Sequence, residues 1–63
     1  GKIMKYTLYE SIEDRDDLYE NIYVNEIETK NKKEIEEEIN RLKEKCSKNP
    51  SYVYEYAVIK RFF

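Results

Sequence analysis

Asp14, Asp16 and Asp17 crowd three carboxylates into four positions, an arrangement that offers oxygen ligands to calcium or magnesium. A hand-type calcium loop opening at Asp14 needs glycine at its sixth position and glutamate at its twelfth. Those positions hold Tyr19 and Asn25, so the expectation is weak, nonspecific divalent binding and no metal centre. Cys46, the sole cysteine, is the candidate nucleophile. It falls on an apolar stripe near the C-terminal end of an expected helix, where the dipole disfavours a thiolate. Lys45 and Lys48 oppose that only weakly, so a buried structural thiol is the expectation. The chain has no histidine, the commonest general base at neutral pH. Gly1 is the only glycine, which excludes a glycine-rich phosphate loop. The reading is a protein that is not an enzyme and binds no cofactor.

The tyrosines raise a different chemistry. In the segment Tyr52 to Phe63, alternation along a strand sets Tyr52, Tyr54, Tyr56 and Val58 on one face. Val53, Ala57 and Ile59 share the other face with Glu55. A tyrosine face ending at Lys60 and Arg61 could stack the bases of single-stranded nucleic acid. Charge argues against it. Between Glu10 and Glu28 eight carboxylates face Arg15 alone, a net −7, within a chain of net charge −2. Such a field repels phosphate and attracts basic surfaces, unless it is simply a solvated acidic loop.

Protein binding fits both features. The acidic residues Glu13, Asp14, Asp16, Asp17 and Glu20 would face a basic groove on a partner. Tyr52, Tyr54, Tyr56, Phe62 and Phe63 would supply apolar contact, to that partner or to a second copy of the chain. The alternative for the tyrosines is packing on the helix stripe, and Phe62 and Phe63 could equally fold back on their own subunit.

These residues need elements to position them. Alternation predicts strands over about residues 3–10, 19–29 and 52–61. Residues 11–18 read as a wide connection, with one helical turn capped by Ser11 and tethered by Ile12 and Leu18. The second strand alternates imperfectly, Ile22 and Val24 opposing Tyr19, Tyr23 and Ile27, which predicts a bulge near Asn25. A helix is expected over about 32–48. Asn31 is its N-cap and Glu34 closes a capping box. Ile35, Ile39, Leu42 and Cys46 form its apolar stripe, and Glu37–Arg41 and Glu44–Lys48 its favourable pairs. Asn49 and Pro50 end it. The result is an α+β fold in which a three-stranded sheet, in β-β-α-β order, carries one helix on one face. The final strand lies either parallel to the second or beside the first, on either side of a central first strand.

Sixty-three residues make a single domain, 1–63, near the lower limit for independent folding. With one cysteine and no histidine, neither an intrachain disulfide nor a zinc site can staple it, which leaves association, a homodimer being the simplest. Lone-cysteine usage suits a reducing cytoplasm, and no apolar run approaches a membrane span. Gly1 before Lys2 fits a cleavage scar from an expression tag. Met4, or a methionine in place of Gly1, then fits the natural start.

From residue 19 to residue 60, hairpin-like strands lead into Ile-Glu-Thr-Lys-Asn-Lys-Lys-Glu-Ile-Glu-Glu-Glu-Ile and then Asn-Pro-Ser-Tyr-Val-Tyr-Glu-Tyr. This pattern resembles, in style, short phage and mobile-element accessory or inhibitor proteins. The resemblance implies binding to, and blocking of, a host protein; it assigns no residue a role. The expected function is a protein-protein interaction module of that kind. A single-stranded nucleic-acid binder and a purely structural self-assembling subunit are the alternatives.

Overall fold

In the amino-terminal half, Met4, Tyr6, Leu8 and Ile12 share one alternation and build a strand longer than its acidic content suggests. The computed structural model describes residues 3–18 and 20–62. Strand β1 runs Met4–Asp14, past the expected end at Glu10. Ser11 to Asp14 remain in the strand because Ile12 continues the alternation begun by Met4, Tyr6 and Leu8 and is fully buried. Ser11 therefore caps nothing. The turn that follows is a 3-10 turn at Arg15–Asp17, capped by the Asp14 carboxylate, which accepts from the Asp16 N–H at 3.0 Å.

Strand β2, Glu20–Thr29, returns antiparallel to β1. Its bulge lies at Ile22 rather than near Asn25: Ile12 faces Tyr23 while Glu13 faces Asn21, leaving Ile22 as the extra residue. The bulge lets Tyr23, Asn25 and Ile27 turn inward together while Ile22 and Val24 stay exposed. Helix α1 spans Lys32–Ser47 and β3 spans Tyr52–Phe62. The strand order is β2-β1-β3, with β1 antiparallel to both neighbours. Thus β2 and β3 run parallel on either side of β1, and α1 crosses over it. Tyr19, expected in the second strand, and Phe63 lie outside the described residues.

The helix ends follow local chemistry. Asn31 caps the first turn by accepting the Lys33 N–H at 3.0 Å. Glu34 does not close the box directly. It accepts the Thr29 hydroxyl at 2.8 Å, and that oxygen accepts the Asn31 N–H at 3.1 Å, so Thr29 relays the contact. At the far end, the Asn49 carbonyl accepts the Tyr52 N–H at 3.0 Å around Pro50, and the Asn49 side chain holds Ser51.

One face of α1 covers one face of the sheet. Ile35, Leu42 and Cys46 of the helix and Leu8 and Ile12 of β1 are buried, with Leu42 and Cys46 packed on Ile12, while Ile39 is half-buried. The covered face is the one that carries the tyrosines: Tyr23, Tyr52 and Tyr54 pack on Ile12, Leu42 and Cys46. Sixteen helical residues reach about 24 Å, whereas an eleven-residue strand reaches about 36 Å, so the Met4–Phe62 end overhangs. No helix among the described residues is long and apolar enough to cross a membrane.

With so few buried side chains, each one matters. Leu42→Ala is expected to cost about 2–5 kcal/mol by urea unfolding, against a total stability of about 3–9 kcal/mol for a chain of this length. The exposed change Glu37→Ala should stay within about 0.5 kcal/mol.

Candidate functional site

Strand β1 places one carboxyl group where none is expected. Glu10 stands between Leu8 and Ile12 on the covered face and is 3% exposed. Each neighbouring strand sends it a donor. Asn25 Nδ2 donates to Oε1 at 3.1 Å, and the Tyr54 hydroxyl donates to Oε2 at 2.6 Å. Helix α1 brings Glu38 against the same carboxyl, and the two share a hydrogen bond. Arg41 clamps Glu38 Oε1 from Nε at 2.8 Å and Nη2 at 2.7 Å. Arg41 thus pairs with Glu38 rather than with Glu37, because Glu38 is the carboxylate turned toward the sheet.

Two carboxyls in contact cannot both ionise easily, and their surroundings separate them. Burial holds the Glu10 pKa above the ordinary carboxyl value, helped by Glu38 and opposed by the Tyr54 and Asn25 donors. The hydrogen bond from Glu10 holds Glu38 below it, with the Arg41 guanidinium adding to the effect. Of the two, Glu10 is therefore the more readily protonated and Glu38 the more readily ionised. Burial, followed by the bond to Glu10, raises the Tyr54 phenol far above its usual range. The cluster joins the helix and all three strands through one buried carboxyl. A period-two pattern carried past Glu10 would have revealed it in the sequence.

The acidic residues gather at one end of the molecule. Glu13 and Asp14 close β1, Asp16 and Asp17 form the 3-10 turn, and Glu20 opens β2 opposite Asp14. The Arg15 N–H donates to the Ser51 carbonyl at 2.8 Å, which ties this tip to the turn before β3. Leu18 does not tether the turn to the body. It is 94% exposed and sits at φ 53°, in the left-handed region that a leucine side chain disfavours. An exposed apolar side chain therefore stands in an acidic stretch of the chain.

The tyrosines divide. Tyr52 and Tyr54 are half-buried, and the Tyr54 hydroxyl is engaged by Glu10. Tyr56 lies farther along the same face, stacked on Tyr54 with centroids 5.5 Å apart. The Lys43 ammonium rests 5.3 Å above the Tyr56 ring. Phe62, opposite Met4, is 66% exposed. Cys46 is buried, and that burial raises its thiol pKa against the weaker pull of Lys45.

The opposite face of the sheet has no helix over it. Tyr9, Val24 and Ile59 are exposed there, and Tyr9, Ser11, Val24, Glu26, Glu55 and Ala57 border an open concavity of about 610 Å³. Among the described residues no group of three or more histidine, cysteine or carboxylate side chains is arranged to hold a metal ion. No protein-family model, curated protein or solved structure matches the chain.

The opposite shifts of Glu10 and Glu38 make stability depend on pH in a definite sense. A raised folded-state pKa contributes stability that is complete below the ordinary value of 4.5 and is lost as pH rises through the folded value. The depressed Glu38 contributes in the opposite sense, losing its share as pH falls below that value. Urea midpoints should therefore rise as pH is lowered from neutral toward the ordinary carboxyl range, then fall. Glu10→Gln, which keeps a donor toward Glu38 and an acceptor toward Tyr54, should flatten the alkaline limb and retain the acid one. An unchanged alkaline limb would place the titration elsewhere.

Proposed function

We propose that this chain is a non-enzymatic protein-binding module, of the accessory or inhibitor kind that its resemblance to short phage proteins implies. The observation that carries this reading is unequal cover: α1 shields one sheet face, while Leu18, Val24 and Phe62 stand 94%, 71% and 66% exposed elsewhere. Apolar surface left in water on so small a domain marks a place of contact. The acidic tip states the sign of the partner. Asp16, Asp17 and Glu20 flank Leu18 along the chain and would steer it into a basic groove, with the leucine as the apolar anchor. Leu18 supports the reading a second way, since a leucine held in the left-handed region is costly and such strain gathers at functional sites.

The test is capture from bacterial lysate on the tagged chain, with and without nuclease, read by mass spectrometry. A single stoichiometric partner that survives nuclease is expected. The reversal Asp16→Lys, Asp17→Lys, Glu20→Lys should reduce its capture on the order of tenfold or more. Asp14 is left intact because it caps the turn. The melting curve of the variant should stay unchanged. Full retention of the partner would remove the acidic tip from the contact, and material lost on nuclease treatment would favour nucleic acid. Leu18→Asn should stabilise the fold by up to about 1 kcal/mol and weaken capture at the same time.

A further inference from the structure

We infer that β3 pairs along its outer edge with β3 of a second copy, antiparallel and centred on Val58, to form one continuous six-stranded sheet. This rests on the protein-binding reading and names the occupant of one of its surfaces.

The two outer strands differ in the way that matters for pairing. Strand β2 is interrupted by the bulge at Ile22 and carries Glu20, Glu26 and Glu28, so a second β2 would be met by like charge and a kink. Strand β3 is continuous. Its eleven residues pair with β1 without a register shift, and it bears one carboxylate, Glu55, and two cations, Lys60 and Arg61. A long, regular, apolar edge of this kind accepts another strand.

The charges choose both the partner and the register. Centring the pair on Val58 sets Glu55 opposite the partner's Arg61, and symmetry repeats the pair. It also sets Tyr56 opposite the partner's Lys60 and Tyr54 opposite the partner's Phe62. A shift of the centre to Ala57 would instead face Glu55 with isoleucine and Arg61 with valine. Within one copy, Arg61 lies across from Lys5, two cations side by side, with Glu28 2.8 Å from the Lys5 ammonium. The partner's Glu55 would add a carboxylate beside these two cations. The two-fold axis stands normal to the sheet, so both helices remain on one face and the exposed Phe62 rings gain aromatic neighbours.

Sedimentation velocity over a concentration series up to about 100 μM tests this on the wild type and three variants, each checked for folding by circular dichroism. The wild type should dimerise. Glu55→Arg and Arg61→Glu, both at exposed positions, should each weaken dimerisation on the order of tenfold, since each change places like charges at both symmetry-related pairs. The double variant E55R/R61E should restore it. A wild type that stays monomeric overturns the inference, as does a double variant no better than the singles. A monomer that still captures a target from lysate would overturn the strand pairing and leave the protein-binding reading standing. A rescued dimer that captures nothing supports the pairing and counts against a foreign target.

Discussion

All four regular elements meet at the Glu10 carboxyl. Strand β1 supplies it, Asn25 of β2 and Tyr54 of β3 donate to it, and α1 brings Glu38 under the Arg41 clamp. A buried carboxyl without partners would cost several kcal/mol, so the fold tolerates Glu10 only while all of these groups are in place. Slipping either strand pair by one residue would turn Asn25 or Tyr54 to the opposite face and orphan the carboxyl. Around it the buried apolar set among the described residues is Leu8, Ile12, Ile35, Leu42 and Cys46. The polar cluster thus ties the register of both strand pairs to a single carboxyl.

Much of the architecture was legible because it rests on local rules. The four-three-four spacing from Ile35 to Cys46, the Asn31 cap and the Asn49-Pro50 stop placed α1 to within a residue. Alternation placed β3 equally well. What escaped depends on contacts between elements. Glu10 read as the end of a strand because a carboxylate on a buried face has no local rationale; its rationale is Asn25, fifteen residues away, and Tyr54, forty-four away. The same cluster drew Arg41 to Glu38 instead of Glu37, since a helix viewed alone does not show which carboxylate leans on a sheet. The bulge at Ile22 was legible as a conflict between faces, but its position was fixed by Tyr23 reaching the core opposite Ile12. Both faces of β3 are apolar, so alternation alone left open which one α1 covers.

The covered face changes the meaning of the tyrosine row. Its residues differ in role because α1 is shorter than the sheet it crosses. Tyr52 and Tyr54 lie under the C-terminal turns of the helix, where Leu42 and Cys46 pack on them. Tyr56 is farther along, stacked on Tyr54 and beneath the Lys43 ammonium, and Phe62 lies beyond. The row thus passes from core to surface along a single strand. The free edge of β3 runs beside the whole of that passage, which is why strand pairing can use residues 54 to 62 without disturbing the core.

Placement of the two proposed surfaces decides whether they compete. The acidic tip adjoins the start of β3, through the Arg15 N–H on the Ser51 carbonyl, while the pairing axis passes through Val58. Six residues separate Tyr52 from Val58, about 20 Å along an extended strand. A two-fold axis at Val58 would therefore send the tips to opposite ends of the joined sheet, about 40 Å apart, each carrying its exposed Leu18. The proposed self-association would then bury the edge of a marginal domain and leave both tips open. Two tips on one joined sheet would bind a repeated or two-fold target with a gain in avidity that neither alone provides.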